Sequence, residues 1–166
     1  MPAPTVAEQL VLGGRALISS EGTADLSVRR LVEAAGRSTM CVYSHFGNRK
    51  RLLAEVYRSC ADDLTAALAG ARDAIGLERD YTAYARKEPR HFLYLFAVDL
   101  ETFGLDQSLR LDLIDTVLDR AAAHLEGDRH DALAWWLRLH GAVWLDTVQR
   151  LAGSPDRFDT TTARRR

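Results

Sequence analysis

Prolines stand only at positions 2, 4, 89 and 155, and that placement constrains the fold more than any other feature. A proline inside a helix removes a backbone donor and clashes with the preceding turn. The long stretches between these positions escape that break. Their apolar residues recur with the 3.6-residue period of a helix, and no sustained alternation argues for a strand. The chain therefore reads as all-α. With 166 residues, 47% of them hydrophobic, it can bury one substantial core, or one core plus a small module. No apolar run approaches the ~20 residues that span a bilayer, so no membrane partner is expected. No signal peptide is read, because there is no basic leader and Glu8 and Arg15 interrupt the first apolar stretch. Cys41 and Cys60 are too few for a disulfide framework, which fits a reducing cytoplasm.

Capping residues and glycines divide the chain. Helix one is expected over about Val6 to Ser20, with Leu10, Ala16 and Leu17 inward and Gly22 as its stop. Ser27 caps a short second helix that ends at Gly36, and Leu26 can staple it by packing on Leu31. Ser38 caps a third helix through "TMCVYSH". Asn48 caps a long fourth helix, with Leu53, Val56, Tyr57, Cys60, Leu64, Ala67 and Leu68 on its apolar face. Gly70 to Gly76 marks a module boundary. Further helices are expected at about Leu77–Lys87, Pro89–Asp99, Asp106–Leu125 and Arg129–Leu151. The expected organisation is a helix-turn-helix domain over 1–50, a connecting helix over about 48–69, a ligand-binding and dimerisation domain over 70–153, and a frayed tail over 154–166.

Charge separates the same parts. Residues 1–58 carry 8 Lys+Arg against 5 Asp+Glu, whereas the remainder carries 14 against 18. A basic N-terminal third suits a polyanion partner. Two short helices joined through a Gly-containing turn, with a third helix before them, describe a helix-turn-helix unit whose second helix enters the DNA major groove. Ser38, Thr39 and Met40 then sit where base edges would be. Tyr43 and His45 can reach phosphates, and the Asn48-Arg49 helix start offers backbone N–H groups and a cation to another.

Residues from about Ala7 to Val56 resemble the DNA-binding domain of the TetR family of bacterial transcriptional regulators, through "LSVRRLVEAAGRS", "VYSHF" and "GNRKRLL" in order and without gaps. The resemblance implies phosphate contacts from Ser27, Tyr43, His45 and Arg49, and base-edge contacts from Arg37, Ser38, Thr39 and Met40. Thr39-Met40-Cys41 replaces the family's frequent Lys-Gly-Thr, and residues 1–14 lack the cation that often reaches the DNA backbone. Both changes imply weaker nonspecific attraction. "YTAYARKEPRHFLYLF" and "LRLHGAVWLDTVQRL" resemble a subgroup of TetR C-terminal domains marked by a His-Gly step, here His140-Gly141. The resemblance implies a ligand-responsive repressor that binds a palindromic operator as a homodimer.

Other chemistries fit less well. Cys41 and His45 lie one turn apart but lack a second Cys/His pair, so no metal is expected. No cofactor is expected, and no nucleophile, zincin, P-loop or Rossmann motif suggests an enzyme. His140 reads as a hydrogen-bonded core histidine that could also line a pocket. Tyr84, Phe92, Phe96, Phe103, His140 and Trp144 are the candidates for holding a neutral, mostly apolar effector in a cavity of the C-terminal helices. Arg129–Leu151 is apolar on two sides. Leu133, Trp136, Leu137, His140, Trp144, Val148 and Leu151 form one stripe, and Trp135, Leu139 and Ala142 form a second, expected to meet the partner of a homodimer. A helical adaptor or ligand-binding protein that has lost DNA binding is the alternative.

Overall fold

A computed structural model describes residues 3–125 and 128–160. Among these residues every regular element is helical. The elements are α1 Val6–Glu21, α2 Val28–Ala34, α3 Thr39–Phe46, α4 Arg49–Leu68, α5 Ala74–Lys87, α6 Pro89–Phe96, α7 Ser108–Ala122 and α8 Arg129–Leu151, with a 3-10 turn at Leu100–Phe103. None of the described helices is long and apolar enough to cross a membrane. Of the tail expected to fray over 154–166, residues 161–166 lie outside the described residues.

The helices group into two compact units. The first contains the residues up to Asp63 together with Arg90–Arg110; the second contains Leu64–Pro89 and the residues from Leu111 on.

In the first unit α1 opens with a capping box, the Thr5 side chain on the Glu8 N–H and the Glu8 side chain on the Thr5 N–H. It stops at Gly22, whose φ of 81° suits glycine. Its inward stripe runs through Leu10, Gly13, Gly14, Leu17 and Ile18. Ala16, expected inward, is exposed, because two glycines that the apolar pattern does not count complete the buried face. Gly13 is needed there for contact: a Cβ on it would lie 2.7 Å from the backbone nitrogen of Ala35. The staple residues Leu26 and Leu31 are both buried.

On α4, Leu53, Val56, Tyr57, Cys60, Leu64 and Leu68 are buried as the periodicity requires, while Ala67 turns outward. Asn48 does cap it, Oδ1 accepting from the Arg51 N–H at 2.9 Å. Helix α6 packs on this assembly through polar ties as well as rings. The Arg90 guanidinium donates to the Ser19 and Ser20 carbonyls at 2.9 Å each, closing the open end of α1. The His91 Nε2 meets the Arg15 carbonyl at 2.8 Å. The Tyr57 phenol donates to the Leu95 carbonyl and the Tyr94 phenol to the Leu53 carbonyl, at 3.1 and 3.3 Å.

In the second unit α5 begins at Ala74, earlier than expected, because Asp73 is its N-cap and accepts from the Gly76 N–H at 2.7 Å. Helix α8 has the expected bounds, opened by a capping box between Asp128 and Asp131. Its rotation differs from expectation. Leu139 is 3% exposed and Ala142 is also buried, so these two residues of the stripe assigned to a partner subunit belong to the core, while Trp135 is half-buried. The outward apolar face is instead Leu133, Leu137, Trp144 and Leu151. The cause is polar burial. Asp146, Thr147 and Gln149 are all buried, and counting them as solvent-facing turns the apparent helix axis. Each has its partner. Asp146 accepts from Arg86 and Arg150 at 3.1 and 3.0 Å, Thr147 donates to the Val143 carbonyl, and Gln149 exchanges two hydrogen bonds with the Phe158 backbone.

Candidate nucleic-acid interface

The turn between α2 and α3 positions the candidate reading helix. Ser27 starts α2, its side chain accepting from the Arg30 N–H at 3.5 Å. Gly36 takes φ +62°, and the Arg37 N–H donates to the Val32 carbonyl at 2.8 Å, fixing the turn. Ser38 stands at the N-cap of α3 without a side-chain capping bond; its hydroxyl lies 3.6 Å from the Cys41 sulfur. Val42 is wholly buried and pins α3 to the helices beneath. Phe46 is half-buried.

That anchoring leaves the other side of α3 outward. Thr39 is exposed, Met40 is 71% exposed and Tyr43 56%. Ser44 shares this side and is also exposed. The sequence motif gives no hint of it, because its hydroxyl is turned back onto the Met40 carbonyl at 2.9 Å. His45 is exposed and lines a groove of about 1400 Å³ between α1 and α4, together with Lys50 and Arg51.

Two of the expected contact residues are already engaged. The Arg49 Nε donates to the Leu26 carbonyl at 2.6 Å, and its guanidinium lies 6.0 Å from the Phe103 ring centre. That is the outer limit of cation–π attraction, so part of this side chain serves the packing of the unit. Arg37 donates to the Gln9 side-chain carbonyl through Nε, at 2.7 Å, and through Nη2.

Residues 10–56 match the profile of the bacterial regulatory proteins of the tetR family. Those residues contain α2, α3 and the turn between them. Residues 10–56 belong to the tetR family. No curated protein matches the chain by sequence, but solved structures share its fold. SCO7518 of Streptomyces coelicolor A3(2) superposes with a TM-score of 0.71 at 20% identity, over 96% of this chain and 94% of that one. The multidrug binding protein EbrR, solved with imidazole, gives 0.69 at 16%, over 98% and 92%. NalD, the secondary repressor of the MexAB-OprM multidrug efflux pump in Pseudomonas aeruginosa, gives 0.56 at 19%, over 95% and 90%. The tetR-family segment is thus a DNA-binding regulator domain carried on an all-helical chain.

The six effector candidates divide between the two units. Phe92, Phe96 and Phe103 lie with the tetR-family helices. Phe92 is buried and packs on Phe96 at 5.2 Å between ring centres, while Phe103 meets Tyr94 edge-on at 6.1 Å. Tyr84, His140 and Trp144 lie in the second unit. Tyr84 is buried, whereas Trp144 is 41% exposed on the outer face of α8. The gap among Glu78, Trp135, Arg138 and Leu139 holds only about 10 Å³.

His140 has a defined setting. Its Nδ1 lies 2.8 Å from the Tyr81 phenol, and its ring stacks on Trp136 at 4.7 Å and 27°. Burial pushes the Tyr81 phenol well above its usual range. Burial also lowers the His140 pKa to about 4. The imidazole is therefore neutral at pH 7, and it shares one hydrogen bond with the Tyr81 phenol.

This setting predicts an acid-sensitive second unit. Between the unfolded pKa of about 6.5 and the folded value of about 4, the unfolded chain binds the extra proton. Stability therefore falls as pH drops through that window and is unaffected by His140 above it. The loss amounts to up to about 3 kcal/mol. Denaturant titrations at pH 7 and pH 4.5 should show it in the wild type, and His140→Gln should remove most of the difference.

Proposed function

We propose that this chain is a ligand-responsive transcriptional repressor that binds a palindromic operator as a homodimer. The observation that carries the reading is α3 itself. It is fixed from beneath by Val42 and presents Thr39, Met40 and Tyr43 outward, directly after the Gly36 turn. An outward helix of this kind is what a major groove admits. Thr39 and Met40 read base edges, Ser38 lies beside them, and Ser27, Tyr43, His45 and the Asn48-capped start of α4 approach phosphates. Arg49 contributes there only with the part of its guanidinium not spent on Leu26 and Phe103.

The homodimer is supported by α8, whose face opposite the core carries Leu133, Leu137, Trp144 and Leu151. A helix at the edge of a monomer has no use for a second apolar face. Gly141 suits the crossing point of two such helices, since nothing lies within 4 Å of the place where its Cβ would be. An effector response is supported by fold relatives named for multidrug binding and for repression of an efflux pump. Within the second unit, Tyr84 and the Tyr81–His140 pair are the groups that suit a neutral, mostly apolar effector. Its binding would favour one of two conformations and so shift operator affinity.

The test is footprinting of the purified protein on genomic DNA, followed by titration of the recovered duplex at several salt concentrations. Affinity should fall steeply with salt, because phosphate contacts release counterions. Tyr43→Phe should weaken all duplexes alike, and Met40→Ala should change the ranking among sequences. Equal affinity for every duplex would remove the regulator reading.

A further inference from the structure

Gln9 spans two elements that the sequence motif treats separately. Its Nε2 donates to the Pro4 carbonyl at 2.8 Å, and its Oε1 accepts from the Arg37 Nε at 2.7 Å and from Nη2. The orientation of the amide is determined by these partners. Flipped, it would set its NH₂ against a guanidinium and its oxygen against a carbonyl, two repulsive contacts in place of the attractive ones. One side chain therefore ties the segment ahead of α1 to the residue immediately before the α3 N-cap.

The identity of the acceptor matters. Most surface arginines of the first unit that are held by a side chain are held by a carboxylate: Arg15 by Asp63, Arg30 by Glu21 and Glu33, Arg58 by Glu55. A carboxylate orients the guanidinium but also cancels its charge. Arg37 is held by a neutral amide, which orients it and leaves the full positive charge on an exposed side chain. The remaining N–H groups stay free for a second acceptor, since a guanidinium has five donors in a fixed fork.

We propose that Gln9 is a positioning residue for DNA recognition. It aims Arg37 without neutralising it, while its NH₂ end stays tied to the Pro4 carbonyl. This rests on the operator-reading function proposed above. The sign of each substitution follows from the chemistry. Gln9→Glu keeps the side-chain length and an acceptor for Arg37 but gives up the hydrogen bond to the Pro4 carbonyl, and it turns the Arg37 contact into an ion pair that withdraws this cation from the DNA. Gln9→Leu keeps the bulk and removes the acceptor, so Arg37 retains its charge and loses its aim.

The experiment titrates the full chain against its footprinted operator and single-base variants across a salt series. Gln9→Glu should weaken the operator about tenfold and lower the salt slope by about one, matching Arg37→Ala. Gln9→Leu should leave the slope unchanged and reduce discrimination at one base-pair position. In an Arg37→Ala background, Gln9→Leu should have no further effect, as coupled residues require. Melting temperatures near the wild type exclude a folding cause. Wild-type slope and discrimination in both Gln9 variants would overturn the proposal, as would a Gln9→Leu effect that persists undiminished without Arg37. Wild-type binding with no sequence preference would overturn the underlying function and the role of Gln9 together.

Discussion

Leu137→Glu is expected to leave the protomer folded and to abolish the homodimer. Leu137 is 56% exposed in the middle of the outer α8 stripe, so a carboxylate there costs a lone chain little. In an isologous pair the same stripe meets its own copy, and each substitution appears twice in one apolar contact. Two like charges are then desolvated without partners, which costs several kcal/mol. DNA binding should fall with the dimer. Two linked heads bind two half-sites with an advantage of about 10²–10⁴ from effective concentration alone, and a monomer forfeits it. Sedimentation at micromolar concentration and operator titration read the two effects. A monomeric wild type would refute the dimer, and an unchanged Leu137→Glu dimer would place the contact on another face.

Two residues further along, Leu139→Glu is expected to unfold the second unit. Leu139 is 3% exposed on the inner side of the same helix. Ionised, the new carboxylate would face a penalty of several kcal/mol; protonated, it would still leave an unsatisfied polar group and lost packing. Either outcome removes a large part of the ~5–15 kcal/mol that holds a typical domain. Far-ultraviolet circular dichroism should show a lost or much lowered transition. Leu137→Glu should melt near the wild type, so the pair distinguishes a broken interface from a broken core.

These two residues also show where sequence reasoning about this chain succeeds and where it stops. The bounds of α8 were readable, and the structure closes its start with the Asp128–Asp131 capping box. Its rotation was not. The buried trio Asp146, Thr147 and Gln149 is stabilised by groups distant in the chain, Arg86 and the Phe158 backbone among them, and periodicity cannot anticipate such partners. The same limit applies to Arg49, whose partners Leu26 and Phe103 lie far from it in sequence. The 3-10 turn Leu100–Phe103 was missed because it is local geometry, closed by Asp99 and a left-handed Gly104, without a periodic signature. By contrast α1 to α4 were readable almost to the residue. There the caps Ser27 and Asn48 and the glycines at 22 and 36 act through adjacent backbone alone.

The placement of sulfur carries a consequence for chemical damage. Cys60 is sealed in the core, whereas Met40 stands 71% exposed on α3 with Cys41 partly exposed beside it. An oxidant or alkylating reagent reaches those two atoms without any opening of the fold. A sulfoxide at Met40 would set a polar oxygen where, in the proposed complex, the thioether offers an apolar edge to a base. On the proposed reading, ageing or oxidative stress would therefore change the preference among DNA sequences while the helices stayed intact, and a preparation could look native by every measure of folding with its selectivity altered.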